Sequence, residues 1–133
     1  MLVDELLVDE GLKLRPYVDT VGKITIGVGR NLTDRGITSA TALDWLAQDI
    51  AECQADLATF GWWLTLDGVR CRALLNLRFN LGPNRFRTFK KMLAAIECGD
   101  FETAATELDA SAWATQVQPS RRTRLIRQLR TAA

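Results

Sequence analysis

The hydrophobic pattern of the first 30 residues changes from a helical period to a strand period, and this change predicts a fold of mixed type. Apolar side chains recur with helical spacing over residues 2–10, so we expect an amphipathic helix that ends at Gly11. Residues 17–28 alternate instead and predict a β-hairpin with its turn at residues 19–22. Pro16, between the two, is expected to break regular structure.

The pattern after residue 38 is helical. A helix of about 20 residues is predicted to begin at Thr38 or Ser39 and to end near Phe60. Further predicted elements are helices at 65–81, 86–97, 101–108 and from Pro119 onward, with Gly82-Pro83 as a stop and a loop that begins at Trp113. No stretch approaches the ~20 consecutive apolar residues that a membrane-spanning helix needs.

These elements predict one domain of the α+β class, mostly α, that covers all 133 residues. We expect a small N-terminal lobe with a β-hairpin, at about residues 11–36. A long helix joins it to a larger helical lobe at about residues 60–133, with which the helix at 2–10 is grouped. A cleft between two such lobes is a common place for a site.

Composition limits the chemistry that the chain can perform. There is no histidine, which excludes Ser/His and Cys/His nucleophilic sites and histidine-ligated zinc. Cys53, Cys71 and Cys98 are odd in number and lack a CxxC pairing, so we expect reduced, buried thiols. We therefore expect neither a metal ion nor a cofactor, and acid–base chemistry must rest on carboxylates.

Charge is unevenly distributed along the chain. Residues 1–60 carry five Lys or Arg and ten Asp or Glu, whereas residues 61–133 carry twelve and six. This asymmetry is typical of attraction to an anionic polymer, either nucleic acid or bacterial envelope, and equally of two halves that complement each other across a cleft. The acids near the first residue are unlike a signal peptide, so we expect the protein to start in the cytoplasm.

Three polar residues are candidates for a hydrolytic site. Glu10 lies in the last turn of the first helix, Asp19 lies in the hairpin turn, and Thr25 lies on the strand face opposite Ile24 and Ile26. One carboxyl group can protonate a leaving group while another positions a water molecule. The negative end of a helix dipole favours a protonated carboxyl group, which suits a general acid.

Each candidate also has an ordinary interpretation when it is taken alone. Glu10 is then a solvated acid at a helix end, Asp19 a turn residue and Thr25 a strand residue. The four tryptophans, Trp45, Trp62, Trp63 and Trp113, are expected mostly in the core. The arginines of residues 121–130 are expected to form a solvated face, with envelope contact as a secondary possibility.

The spacing of these residues resembles a known family. The pieces are Glu10-Gly11, then Tyr17-x-Asp19-x-x-Gly22, then Thr25-x-Gly27-x-Gly29. They are similar in type and offset to the phage-type lysozymes, the family of T4-lysozyme-like muramidases and endolysins. The similarity continues through Trp62-Trp63, Arg72, Phe79-Asn80-Leu81-Gly82, Trp113, Gln116, Pro119, Arg121 and Arg124, and spans about residues 3–127.

The resemblance implies a role for each matched residue. It implies that Glu10 is the general acid, that Asp19 is the carboxylate that directs water, and that Thr25 holds that water. It also implies supporting residues, Asp9, Arg121 and Arg124, with the two arginines reaching towards Glu10 and Asp9. Implied substrate-binding residues along the glycan cleft are Asn31, Phe79, Asn80 and Leu81.

Two features depart from the family pattern. Arg30 stands where the family commonly has histidine, so the ion pair made by that histidine is replaced or absent. The segment of residues 30–40 is short, which predicts a minimal small lobe and changed binding of the glycan by that lobe.

The resemblance implies a peptidoglycan muramidase that cleaves the β-1,4 bond between N-acetylmuramic acid and N-acetylglucosamine with inversion. We expect a monomeric phage or prophage endolysin that binds peptidoglycan glycan strands, with no stable membrane insertion. It would act in the periplasm or cell wall after a holin opens the membrane. The alternatives are a weak or silent glycan-binding domain of a phage or envelope assembly, and a helical nucleic-acid binder. The last is disfavoured because base-reading motifs are missing and the net charge is low.

Overall fold

The computed structural model describes all 133 residues and confirms the predicted α+β class, since 67% of the chain is helical and one small antiparallel sheet lies near the N-terminus. The helices α1–α9 are Leu2–Glu10, Leu32–Arg35, Ser39–Leu57, Gly68–Leu81, Pro83–Arg87, Lys90–Glu97, Phe101–Asp109, Ala112–Gln116 and Pro119–Thr131. The strands β1–β3 are Lys13–Val18, Ile24–Gly27 and Arg30–Asn31. None of the helices is long and apolar enough to cross a membrane.

Backbone contacts divide the chain into two compact units, Met1–Trp45 and Leu46–Ala133. The boundary falls within α3, so this helix contributes residues to both units. The first unit holds α1, the sheet and α2, and the second holds α4 to α9. The prediction that α1 is grouped with the helical lobe concerns how the units meet, and it stays a prediction.

The hairpin of the first unit begins earlier than predicted. β1 starts at Lys13 and pairs antiparallel with β2, with Tyr17 opposite Thr25 and Val18 opposite Ile24. The register shifts between Lys13 and Tyr17, where Pro16 lies. The expectation that Pro16 breaks regular structure was therefore wrong: the proline, which lacks an N–H donor, sits in the strand at an irregularity of the ladder.

The short segment after the hairpin contains regular structure. Arg30 and Asn31 form β3, which adds to the other edge of β2, so the strand order is β1-β2-β3. A single helical turn, α2, follows at once. Asn31 caps it, because its Oδ1 accepts a hydrogen bond from the Asp34 amide at 3.1 Å.

In the second unit one helical prediction was wrong in detail, and the predicted stop at Gly82-Pro83 was confirmed. The helix predicted over residues 86–97 is two helices, α5 and α6, because Phe89 has a ψ of 56° and leaves the helical region. Pro83 does not only follow the end of α4 at Gly82. It also begins α5, where its missing N–H costs no intrahelical bond.

Trp113 lies in α8 and not at the start of a loop. Its side chain is only 1% exposed, and its indole N–H donates to Asn80 Oδ1 at 2.8 Å, so the polar end of the ring is satisfied within the core. The expectation that most tryptophans are core residues holds for Trp62 and Trp113, whereas Trp45 is 45% exposed.

The core of the second unit is built by every helix from α3 to α9. Its fully buried large side chains are Leu57, Leu74, Leu77, Phe86, Met92, Leu108, Trp113, Leu125 and Leu129. Each of these seven helices contributes at least one member. Burial of such side chains contributes roughly 1.5–3 kcal/mol each, so the unit has an extended apolar core of its own.

The three cysteines are all free thiols, but only one of them is buried. Burial raises the pKa of the Cys53 thiol, although the Arg78 guanidinium acts in the opposite direction. Burial also raises the pKa of the half-buried Cys71 thiol. Cys98 is exposed beyond the end of α6, so the expectation of buried thiols was wrong for this residue.

The arginine face of α9 is only partly solvated. Arg122 forms an ion pair with Asp109 at 2.6 Å and Arg130 forms one with Glu102 at 3.0 Å, and both acids belong to α7. Arg70 of α4 also secures α9, because its guanidinium donates to the carbonyl oxygens of Leu129 and Arg130. These contacts hold the last helix against the rest of its unit.

An ion cluster around the buried Arg78 joins three helices at one point. The Asp56 carboxylate of α3 accepts from Arg78 Nε at 2.6 Å and from Arg87 Nη2 at 2.6 Å. The hydrogen bonds from these two guanidiniums lower the pKa of Asp56 to about 2, against partial desolvation that acts in the opposite direction. Arg78 is 6% exposed, so its charge depends on this carboxylate for compensation.

Asp56→Asn is therefore expected to destabilise the protein by about 3 kcal/mol at pH 7, since it leaves the Arg78 charge buried and uncompensated. The folded pKa of Asp56 lies below the unfolded value of about 3.8, so the ionised carboxylate stabilises the fold above pH 4. That contribution, about 2 kcal/mol, is lost as the pH falls from about 4 to about 2. Urea unfolding at several pH values should show the wild type and the variant converging in acid.

Asp109→Asn is the matched control for this experiment. It removes an ion pair of similar length whose partners are each at least 40% exposed, so we expect a loss below about 1 kcal/mol. A stability difference between wild type and Asp56→Asn that does not change with pH would contradict the assignment.

Candidate active site

Asp19 is fixed by the hairpin turn that it forms. Its Oδ1 accepts hydrogen bonds from the amides of Val21 at 3.0 Å and Lys23 at 2.8 Å, and its own amide donates to the Lys23 carbonyl at 2.9 Å. An aspartate suits this turn because its short side chain reaches backbone amides a few residues ahead. Its Oδ2 makes no hydrogen bond within the first unit, so one acceptor oxygen stays available.

Thr25 lies in β2 with its side chain 4% exposed, on the face opposite Ile24 and Ile26 as the alternation predicted. Its hydroxyl donates to the Lys23 carbonyl at 3.1 Å. Because the hydroxyl proton is engaged, the oxygen lone pairs remain to accept a hydrogen bond. Thr25 is therefore oriented as an acceptor towards a donor such as water.

Glu10 is the last residue of α1, and its carboxyl group lies against the backbone of Gly29. A Cβ atom on Gly29 would come within 3.0 Å of Glu10 Oε2 and 3.2 Å of its Cδ. Gly29 also has a φ of 70°, which a side-chain-bearing residue rarely adopts. The Glu10 carboxyl group thus lies in the space that a side chain at Gly29 would take.

The backbone of Lys23 connects two of the three candidates. Its N–H binds the Asp19 carboxylate, and its carbonyl accepts both the Asp19 amide and the Thr25 hydroxyl. Sequence reasoning missed this residue because it acts through its backbone, and a side-chain pattern carries no signal for that. Its position one residue after the turn Asp19–Gly22 is the only feature that pointed to it.

This arrangement has a definite chemical capacity. Asp19 keeps a free carboxylate oxygen and Thr25 keeps an accepting hydroxyl, and both side chains are held by the backbone of Lys23. A carboxyl group with no hydrogen bond in its unit, at Glu10, is free to deliver a proton. Together these groups suit hydrolysis in which a proton donor and a positioned water act in the same reaction.

Asn31 and Arg30 have local partners in the first unit. Asn31 pairs with Thr25 across the β2–β3 ladder, and its side-chain amide binds Asp34 through both its oxygen and its nitrogen. Arg30 donates from Nε and Nη2 to the Gly36 carbonyl at 3.2 and 3.0 Å. The position that commonly holds histidine in the resembling family thus makes a backbone bond here.

The second unit places the predicted cleft residues in different surroundings. Phe79 is 45% exposed and shares a depression of about 500 Å³ with Arg121. Asn80 is exposed but accepts the indole N–H of Trp113, and Leu81 is half-buried against the core. Of the three, Phe79 presents the largest apolar surface to solvent.

The supporting residue Arg121 has a partner within the second unit. Arg121 donates from Nε and Nη2 to Asn76 Oδ1 at 2.9 and 2.7 Å, a partner that the sequence did not indicate. Arg124 and Asp9 are exposed. The predicted reach of Arg121 and Arg124 towards Glu10 and Asp9 joins the two units, and it stays a prediction.

Comparison with known proteins gives consistent similarities. The family model described as phage lysozyme matches residues 8–128. Probable T4-type lysozyme 1 of Dictyostelium discoideum is 31% identical, over 96% of this chain and 92% of that protein. Probable T4-type lysozyme 2 of the same organism is also 31% identical, over 94% and 91%. Pre-baseplate central spike protein Gp5 of Enterobacteria phage T4 is 30% identical, over 83% of this chain and 24% of that protein.

The first two of these alignments are longer than the chain itself. They span 160 and 157 positions, whereas the chain has 133 residues, so both relatives carry segments that this chain lacks. A reduced chain of this kind agrees with the short segment of residues 30–40 and with the two-residue strand β3.

Gly29→Ala is expected to displace the Glu10 carboxyl group and to lower hydrolysis of cell-wall glycan at least ~10-fold, because misplacing a reacting group is costly. Gly27→Ala is the matched control, since Gly27 has nearly the same φ, 69°, but nothing within 4 Å of the added Cβ. Both variants should lose about 1–2 kcal/mol of stability from the positive φ. Thermal unfolding and turnover of purified peptidoglycan test this pair; equal activity losses would contradict the role of Gly29.

Proposed function

The chain belongs to the phage lysozyme family of glycoside hydrolases, and we propose that it is a peptidoglycan muramidase. The bond cleaved is the β-1,4 bond between N-acetylmuramic acid and N-acetylglucosamine. Glu10, Asp19 and Thr25 carry the reaction, and Asn31, Phe79, Asn80 and Leu81 bind the glycan.

The geometry around Lys23 is the observation that supports this proposal most directly. Asp19 and Thr25 are both bound to the backbone of Lys23, to its N–H and its carbonyl respectively, and each keeps an acceptor atom free. A hydrogen-bonded carboxylate and hydroxyl with free acceptor atoms are what a reaction needs to position and deprotonate water.

The acid step falls to Glu10. Glycoside hydrolysis builds positive charge on the sugar ring, and the departing oxygen needs a proton as its bond to the anomeric carbon breaks. Glu10 supplies that proton. Because its carboxyl group lies against Gly29, the positions to which the proton can be delivered are limited. Gly29 thereby contributes by having no side chain.

The water step falls to Asp19 and Thr25. A water held by both attacks the anomeric carbon from the face opposite the leaving group, and Asp19 accepts the proton that the water loses. The bond from water oxygen to carbon forms as the glycosidic bond breaks, so the configuration inverts.

The biological setting that we propose is that of a phage or prophage endolysin. The protein acts as a monomer on peptidoglycan strands, without a cofactor. It accumulates in the cytoplasm of the bacterial host and reaches the periplasm or cell wall after a holin opens the membrane. Pulldown with holin-expressing membranes and lysis timing with and without a holin test this setting separately from the chemistry.

A second candidate function is a glycan-binding domain, weak or silent in catalysis, within a phage or envelope assembly. The similarity to 24% of a central spike protein supports this candidate, because the similar region there is part of a longer protein named for the spike. In this candidate function the glycan contacts of the second unit are kept, and Glu10 has no catalytic role.

Glu10→Gln separates the two candidates, since it keeps the shape of the side chain and removes its proton. We expect clearing of purified cell walls to fall at least ~100-fold. Glu5→Gln, in the same helix and exposed, should leave clearing unchanged and controls for the loss of one charge. If wild type and Glu10→Gln clear cell walls equally, the enzyme proposal fails and the glycan-binding candidate is supported.

The stereochemistry of the product tests the water step. A time course followed by proton NMR should show the α-anomer of the new reducing end first, before mutarotation, since the β bond inverts. First appearance of the β-anomer would mean a covalent intermediate, and it would remove the proposed role of Asp19 and Thr25 in positioning water.

A further inference from the structure

Arg30 closes a short loop in the first unit. It lies in β3 opposite Ile26, and its guanidinium donates two hydrogen bonds to the carbonyl of Gly36, the residue that ends α2. Residues 30–36 are therefore held at both ends. The pairing of β3 with β2 holds the first end, and the two hydrogen bonds from the Arg30 guanidinium hold the other. A planar guanidinium suits the bond because two of its N–H groups point the same way.

The closed loop is bound to the start of β2. The Ile24 amide donates to Thr33 Oγ1 at 2.8 Å, and Lys23 Nζ donates to Asp34 Oδ1 at 3.1 Å. The Lys23–Asp34 ion pair is exposed and contributes little stability by itself. The hydrogen bond from the Ile24 amide to Thr33 fixes the backbone of β2 directly. Movement of α2 therefore moves the Lys23–Ile24 peptide.

The backbone segment of Lys23 and Ile24 holds the candidate water site. Lys23 binds the Asp19 carboxylate through its N–H and the Thr25 hydroxyl through its carbonyl. We propose that Arg30 is a positioning residue for the glycan hydrolysis, which fixes Asp19 and Thr25 through the loop 30–36. This role rests on the proposed muramidase function.

The role predicts a loss in turnover and not in substrate binding. Arg30 touches neither the acid nor the groups that hold water, so its removal loosens the water site. The proposed glycan contacts of the second unit stay, and Asn31 keeps its own hydrogen bonds to Asp34. Arg30→Gln should lower kcat about 10-fold with KM changed less than about twofold. Arg30→Lys keeps one donor and should restore part of kcat.

The experiment compares kcat and KM on soluble peptidoglycan fragments with amide hydrogen exchange at Lys23 and Ile24. Arg30→Gln should speed exchange at both amides by about 10-fold, and Arg30→Lys by less. Arg35→Gln is the matched control, because Arg35 lies in the same loop, is exposed and makes no side-chain hydrogen bond in the first unit. It should change neither quantity.

Thr33→Val gives a second route to the same result if Arg30→Gln fails to fold, since it removes the acceptor of the Ile24 amide and leaves Arg30 in place. It should reproduce the loss of kcat. A folded Arg30→Gln with wild-type kcat, or an equal loss in Arg35→Gln, would overturn the positioning role alone. Absence of hydrolysis by the wild type would overturn the proposed function, and this role with it.

Discussion

The backbone of one residue, Lys23, carries the arrangement on which the candidate site depends. Its N–H closes the hairpin turn through the Asp19 carboxylate, and its carbonyl orients the Thr25 hydroxyl. These two groups belong to consecutive planar peptide groups, so both side chains are held by backbone atoms and not by long side chains. The short sheet and the loop 30–36 hold this backbone segment in place.

The second unit is organised around a different constraint, the compensation of buried positive charge. Arg78 lies in the interior, and the Asp56 carboxylate that compensates it also binds Arg87, so three helices meet at one acid. Removing the acid would cost more than the ion pair itself contributes, because the remaining guanidinium stays desolvated. The apolar core sets how the helices pack, and this cluster sets where the end of α3 must lie.

The sequence predicted what local patterns determine. Helix α1 and its end at Gly11, the turn at Asp19 and the buried face of Thr25 all follow from spacing within a few residues. Long-range contacts decided the rest: Trp113 is buried with its indole N–H bound to Asn80, 33 residues away. The Lys23 peptide and the Arg30–Gly36 bond act through backbone atoms, which side-chain patterns do not report.

The double use of Asp19 has a consequence for reading related sequences. Its carboxylate caps the turn as well as belonging to the candidate site, so folding alone would preserve it in a lineage without glycosidase activity. Glu10 makes no hydrogen bond within its unit and would drift freely once catalysis ceased. Among related sequences, the presence of Asp19 therefore indicates only that the hairpin is kept. Of these two residues, it is Glu10 whose presence indicates selection for the reaction.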